Sequence, residues 1–483
     1  MTEPRRSPTT SPKGTTMRST RPTIRTRVLP AVVAATLTVS LAACGQSSTN
    51  SDGGGATPSA PNASALSEAT GTTDITVWHG LGAANGVAFT KLIDQFNQTN
   101  TDRIHVTATY QGVYADLLAK YTATLRDNSA PTVMLAGDIA TAYMIDVHHS
   151  LPAAQMAKAN PGDVPLADLA PAALNYYSVN GVQQAVPMNV STPMLWVNRD
   201  LLGQAGVDPA SLRTLDGVLA AATTVKQKTG TAGFTMQDDD WYIEQLVATA
   251  GQQFCTPGNG RTGQPATAIT INNGLAKENI TKVADLYRSG VAVDGAPDGS
   301  AAIAAFQAGK VAMMLYSSGI AGTLKTGTPF AYQSLPFPTS GPAGSSGPVI
   351  GGSALWLSAT ATPAQQVAGW KLEAYLTSAA AQEQFSHATG YIPINKKTAD
   401  SPTQKTFLAD NPNAKAFAEQ LADTPVTTAT SGCVSGAMTK IKAADISELQ
   451  AAFAGQKTVD AALDTATTQA AEAMKQYQAQ VGH

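Results

Sequence analysis

Asp74-Ile75-Thr76-Val77-Trp78 is a short β-rich run that reads as a strand, and the residues after it decide the fold. Phe89, Leu92, Ile93 and Phe96 fall at the i, i+3, i+4, i+7 spacing of one helix face. Ile104 to Tyr110 reads as a second strand. Leu117, Leu118, Tyr121 and Leu125 mark the next helix, and Thr132 to Ala136 a third strand. This βαβαβ order predicts a parallel sheet covered by helices on both faces.

The same alternation continues downstream. Met194 to Val197 opens a new unit after Pro193, with helices near Leu215–Lys228 and Asp240–Ala250. Ile303 and Phe306 belong to a helix that Gly309 terminates, and Val311 to Tyr316 is a strong apolar strand. Thr362-Pro363 supplies an N-cap and first turn for a helix through Tyr375. The last 80 or so residues are alanine-rich and read as helical. Two α/β lobes are the expected architecture. No period of 20–50 residues marks a solenoid or propeller.

Upstream, Arg18, Arg21, Arg25 and Arg27 precede an apolar body, Val28 to Ala43, and small residues lead into Cys44. Charge, then apolar body, then small residues is the layout of an export signal. The body is shorter than the ~20 apolar residues of a membrane span. It resembles a bacterial lipoprotein signal, in which cleavage leaves a lipidated Cys44 as the first residue. An ordinary secretory signal or a short anchor helix are the alternatives, and Met17 is a second candidate start. Gly45 to Thr73, mostly Gly, Ser, Thr, Ala, Pro and Asn, reads as a tether with a reach of roughly 30 Å. Beyond residue 43 remain 24 Lys+Arg and 33 Asp+Glu, a net charge near −9. That balance argues against nucleic acid and anionic membrane as partners. With Cys44 lipidated, Cys255 and Cys433 remain, either as one disulfide or as two thiols.

Ligands in open parallel sheets sit beyond the carboxyl ends of strands. Polar and aromatic residues recur there: Trp78-His79, Tyr110 to Tyr114, Asp138, Asn189 to Thr192, Ser317-Ser318-Gly319 and Gly351-Gly352-Ser353. Aromatic faces cover C–H surface, carboxylates accept from hydroxyls, and Ser hydroxyls and Gly N–H groups donate to oxygens. Each has a plainer reading alone: Trp78 as core, Asp138 as a helix cap, Ser317-Ser318 as a turn, Gly351-Gly352 as a tight corner.

The order of these segments resembles the bacterial extracellular solute-binding proteins that feed ABC importers, and most of all their glycerol-3-phosphate-binding branch. The matching segments include Trp78-His79-Gly80, Gln111-Gly112-Val113-Tyr114, Ala130-Pro131-Thr132, Pro187 to Pro193, Asn198-Arg199-Asp200, Ala205 to Pro209, Ser317-Ser318-Gly319, Gly351 to Trp356 and Thr389 to Ile394. The resemblance implies a two-lobed periplasmic-binding-protein fold of type II, maltose-binding-protein-like, closing over ligand in the inter-lobe cleft. It places lobe 1 at residues 74–186 plus about 330–377, and lobe 2 at 187–329 plus about 378–483. By position, Tyr114, Asp138, Ser191, Ser318, Gly352 and Tyr391 would line the cleft, with Trp241 as an aromatic wall; Trp78, at its strand end, is a further candidate ligand contact. Ser317 and Gly351 are the off-by-one alternatives. The implied protein is a monomeric receptor, tethered by Cys44 to the outer face of the cell membrane, that hands solute to permease subunits. One departure concerns the family's phosphate-pairing arginine, expected after about Leu421. Leu421 to Thr439 holds no Lys or Arg, and the position reads Ser431-Gly432-Cys433-Val434. The ligand class thus spans glycerol 3-phosphate, a glycerophosphodiester or a sugar, the first being disfavoured by that loss.

The rival class is a lipid-anchored hydrolase acting on sugars or glycerophosphodiesters. Gly258-Asn259-Gly260-Arg261-Thr262-Gly263 spells G-x-G-x-x-G, but no strand precedes it and no helix follows, so it reads as a loop. No G-x-S-x-G, H-E-x-x-H or C-x-x-C occurs. His148-His149 lacks further ligands at metal spacing, and Asp238-Asp239-Asp240 reads as a loop or helix cap ahead of a cation site. No catalytic residue, metal or cofactor is assigned.

Overall fold

Thr73–His79 (β1), Ile104–Tyr110 (β2) and Val133–Gly137 (β3) run parallel, with β1 between the other two, as the βαβαβ reading expects. This computed structural model describes residues 59–127, 129–341 and 346–482. The signal segment 1–43, Cys44 and the first part of the tether lie outside the described residues. Beyond β3 the sheet turns antiparallel. Gly351–Ser358 pairs with β3 and also, along its length, with Ser150–Leu151 (β4) and Val186–Ser191 (β5). The helices Ala83–Thr99, Tyr114–Thr124 and Pro363–Leu376 cover this sheet. Phe89, Leu92, Ile93 and Phe96 are buried, the face their spacing predicted. Thr362 caps its helix in a full capping box with Gln365.

A second sheet holds Pro193–Asn198 (β6), Ala232–Met236 (β7), Val311–Ser317 (β8) and Tyr332–Pro336 (β9), in the order β9-β6-β8-β7. Every residue of β6 is buried and β8 is nearly so. Such doubly covered strands read as continuous apolar runs. The C-terminal helices Met438–Phe453 and Val459–Val481 pack beside this sheet with the core that includes Phe234, Val247 and Ile280. Gly351–Ser358 is β10 below.

Sheet membership moves the crossing points away from the sequence expectation. Residues 187–191 belong to the first sheet, because β5 bonds to β10. Residues 332–336 belong to the second, because β9 bonds to β6. The chain therefore crosses at Thr192, again between residues 337 and 350, and a third time after Leu421 on its way to the C-terminal helices. Gln420 clamps the first two crossings: its Nε2 donates to Thr192 Oγ1 (2.5 Å) and Pro193 O (2.7 Å), and its Oε1 accepts from Phe337 N (2.7 Å).

The end of the expected tether is also corrected. Ser64–Ser67 forms one helical turn against the helix Pro363–Leu376, with Leu66 buried in the first lobe's core. Asn160 Nδ2 holds Pro61 O at 2.9 Å, and Arg103 Nη2 reaches Ala69 O at 3.3 Å. One leucine within an otherwise small, polar stretch suffices to dock it. Among the described residues, no helix is long and apolar enough to cross a membrane.

Candidate functional site

Two glycines bring the first aromatic into place. Tyr114 opens the helix Tyr114–Thr124, and its ring lies close against Gly80 and Gly137. A Cβ on Gly80 would stand 2.7 Å from that ring, and one on Gly137 2.6 Å. The Tyr114 hydroxyl reaches the neighbourhood of Ser353, Asn189, Asp138 and Tyr391, without a well-aligned hydrogen bond. Ser353 Oγ donates to Asn189 Oδ1 across the β5–β10 pair. Tyr391 stacks on Phe385 at 5.6 Å and lies beside Gly319.

Asp138 follows β3 directly and starts a turn of 3-10 helix. Its Oδ1 accepts from the N–H of Ile139 at 2.7 Å, and the backbone of Gly352 also bonds to it. Gly352 owes its place to backbone shape: its φ is +126°, at an irregularity in β5–β10 pairing. Its neighbour Gly351 lies between Ser191 Oγ and the ring of Trp241.

Trp241 comes from the second lobe, on the helix Asp240–Thr249, which Asp239 caps by accepting from Trp241 N at 2.8 Å. The acidic triplet is thus a cap, but not a solvated one. Lys442 Nζ bridges Asp239 Oδ1 and Asp240 Oδ1, both at 2.8 Å, and its charge also acts on Asp138. Glu244, one turn beyond Trp241, accepts from Cys433 N at 2.7 Å. Cys433 is joined to Cys255 in a disulfide, Cα–Cα 5.7 Å. That resolves the two readings of these cysteines left open by spacing. Among the described residues no cluster of His, Cys, Asp or Glu is built to hold a metal ion.

The structure therefore gathers Tyr114, Asp138, Gly352 and Tyr391 in one cluster, with Ser191 and Trp241 adjoining it around Gly351. Ser318 is buried at the first crossing, where its Oγ accepts from Thr192 N (3.2 Å) and its N donates to Thr192 O (2.8 Å). The Ser317 hydroxyl accepts from Gly319 N at 3.1 Å, as in a turn. Trp78 packs half-buried against the first lobe's core. Sequence reading passed over Glu244, Lys442 and Tyr176, and took Arg261 only as part of a loop. For Glu244 a signal existed, since it follows Trp241 by three positions on a helix and so shares its face.

Burial dominates the electrostatics. It pushes the Asp138 carboxyl up to about 6, against the pull of Lys442, and the Glu244 carboxyl up to about 7, against the hydrogen bond from Cys433. Between about pH 4 and 7 the folded protein thus binds more protons than the unfolded chain, so stability falls as pH rises through that window. Ligand-free protein is expected to melt several degrees higher at pH 5 than at pH 7.5. Asp138→Asn with Glu244→Gln should shrink that difference, leaving a remainder from Asp238 and Asp445, which burial raises to about 7 and about 8. Equal pH dependence in calorimetry of the two proteins would refute the assignment.

Comparison with known proteins places this geometry. The family model described as bacterial extracellular solute-binding protein matches residues 91–416. The sn-glycerol-3-phosphate-binding periplasmic protein UgpB of Yersinia enterocolitica is 27% identical over 403 residues, 82% of this chain and 91% of the relative. UgpB of Escherichia coli strain K12 is 25% identical over 420 residues, 86% and 95% of the two chains. Among solved structures, UgpB from Mycobacterium tuberculosis in complex with glycerophosphocholine superposes with TM-score 0.71 at 19% identity, covering 84% of this chain and 99% of the other. The GacH receptor of Streptomyces glaucescens, solved unliganded and with acarbose, gives 0.70 at 21%, with the same coverage. The fold is the two-lobed, maltose-binding-protein-like one.

Proposed function

This chain belongs to the bacterial extracellular solute-binding proteins, and from that premise we propose that the Tyr114–Asp138–Trp241–Tyr391 cleft receives a small, oxygen-rich solute: a glycerophosphodiester, glycerol 3-phosphate or a sugar. The protein is the solute-binding component of an ABC importer. The observation that carries the ligand class is a set of buried donors. Asn189 Nδ2, Trp241 Nε1 and the Tyr114 hydroxyl are sealed from water and make no well-aligned hydrogen bond among the described residues, Tyr114 and Asn189 meeting each other and Tyr391 only loosely. Buried donors without acceptors are costly, at about 1–3 kcal/mol each. A solute rich in oxygen acceptors answers all three, and the faces of Trp241 and Tyr391 suit its C–H surface.

Ligand stabilises the closed form by its differential affinity for it, and the permease subunits read closure. Lipid on Cys44 would hold the receptor at the outer face of the membrane, as a monomer free to close. No group-transfer step is required of the site, and the solute leaves unchanged.

The test is a thermal-shift and calorimetric titration of the mature protein with sn-glycerol 3-phosphate, glycerophosphocholine and several mono- and disaccharides. One solute should bind at one per chain. At a hundredfold excess over Kd it should add about 2.7 kcal/mol of stability. The solute should be recovered intact after incubation. Tyr114→Ala should weaken binding at least tenfold with the circular dichroism unchanged. Turnover of the solute, or binding by none of the panel, would overturn the reading.

A further inference from the structure

Arg261 lies in the loop that spells a false dinucleotide motif, and the structure uses that loop for something else. Gly258, Asn259 and Gly260 all have positive φ, which coils the chain tightly. Asn259 locks the coil to the segment around Cys433. Its Oδ1 accepts from Cys255 N at 2.9 Å, its Nδ2 donates to Thr428 O at 2.7 Å, and its carbonyl accepts from Val434 N at 2.9 Å. The coil turns Arg261 inward. Nε donates to Gly432 O at 2.7 Å, Nη1 donates to Tyr176 O at 2.9 Å, and the guanidinium carbon stands 4.9 Å from the centroid of the Tyr176 ring.

The remaining nitrogen, Nη2, is sealed from water and has no acceptor among the described residues. The nearest acid that acts on Arg261 is Glu244, yet its Oε1 is occupied by Cys433 N, and burial drives its carboxyl toward the neutral form. The three carbonyls bonded to the guanidinium, those of Gly432, Tyr176 and Asn175, are dipoles and leave its charge uncancelled. A buried cation without an anion is strongly disfavoured. Gly432, which holds Arg261 Nε, stands against the Tyr176 ring and Glu244 Oε1, and Glu244 lies one turn beyond Trp241, so the guanidinium adjoins the cleft cluster through these residues.

We propose, resting on the reading of this cleft as a solute site, that Arg261 is its specificity-determining charge. Nη2 receives an anionic oxygen of the solute, so the ligand class is a phosphate ester and not a neutral sugar. The positive charge thus reaches the site from a loop 160 residues ahead of the arginine-free segment 421–439.

The test pairs two side chains of similar length that differ in charge, Arg261→Lys and Arg261→Met, in the mature protein. Calorimetry with glycerophosphocholine, sn-glycerol 3-phosphate and maltose reads the effect. The unsubstituted protein should bind one of the esters. Arg261→Met should weaken that binding roughly 10- to 100-fold, and Arg261→Lys should bind at least fivefold better than Arg261→Met. A purely structural arginine would make Lys and Met equal, which overturns the proposal. So does binding of maltose with neither ester bound, although the receptor reading survives that result. If nothing in the panel binds, the receptor reading fails and takes this proposal with it. Should Arg261→Met not fold, Arg261→Gln, which can still donate to Gly432 O, replaces it with the same criteria.

Discussion

Replacing Cys255 and Cys433 together by serine is expected to lower the unfolding free energy by up to about 5 kcal/mol, and the melting temperature by roughly 5–10 °C. The bridge joins positions 178 residues apart. On the chain-entropy account, so long a loop removes more freedom from the unfolded chain than a short one does. Both cysteines are fully packed in the second lobe's core, so the serine hydroxyls add a desolvation penalty. A solute effect should accompany the loss of stability. Cys433 N holds Glu244, and the adjacent Gly432 carbonyl holds Arg261. Freeing residues 428–434 therefore loosens the cleft floor, and affinity should fall alongside melting temperature. Calorimetry of the double variant, and of unsubstituted protein with and without reductant, checks this. An unchanged melting temperature in both would rule out a stabilising role for the bridge.

Gly352→Ala is expected to be strongly damaging, because a backbone clash and a disfavoured φ fall on the same residue. Its Cβ would stand 1.9 Å from the carbonyl oxygen of Asn189 and 3.2 Å from Val190 Cα, at a φ of +126° that L-residues avoid. Backbone strain of this kind costs about 1–3 kcal/mol by itself. The clash is with backbone, which cannot rotate aside. Relief requires β5 and β10 to separate just where Asn189, Ser353 and the bond from Gly352 to Asp138 shape the cleft. Stability should drop by several kcal/mol, and solute binding should be lost even where folded protein is recovered. Denaturant unfolding and titration of the variant measure both. Binding within threefold of the unsubstituted protein would show that Gly352 does not set the shape of the cleft. Gly351→Ala provides a contrast. Its Cβ meets the Trp241 ring at 2.8 Å and Ser191 Oγ at 3.2 Å, so binding should suffer more than stability.

Most of the secondary structure was legible because it is local. The helix predicted at Leu215–Lys228 spans Leu215–Thr229, with Thr214 as its cap and Gly230 at its end. The helix predicted from Thr362 ends at Leu376. Caps, terminal glycines and 3.6-residue spacing act within one or two turns, so a short window of sequence contains their cause. The lobe limits near 186 and 330 were displaced by several residues, because strand membership is decided by the neighbouring strand and not by the run itself. The tether was drawn too long for a related reason. Composition marks residues 59–73 as flexible, but Leu66 finds a groove on a helix three hundred residues away.

By itself the sequence determined the order of strands and helices, the two-lobed plan, and the strand ends at which polar and aromatic residues collect. Those follow from periodicity and chain connectivity, which are properties of neighbours along the chain. Only tertiary structure decided the charge around those strand ends. Asp239 and Asp240 face Lys442 from two hundred residues away, and the Arg261 guanidinium is wedged between Tyr176 and Gly432. A charge has no fixed consequence until burial sets its surroundings, and burial is a property of the whole fold.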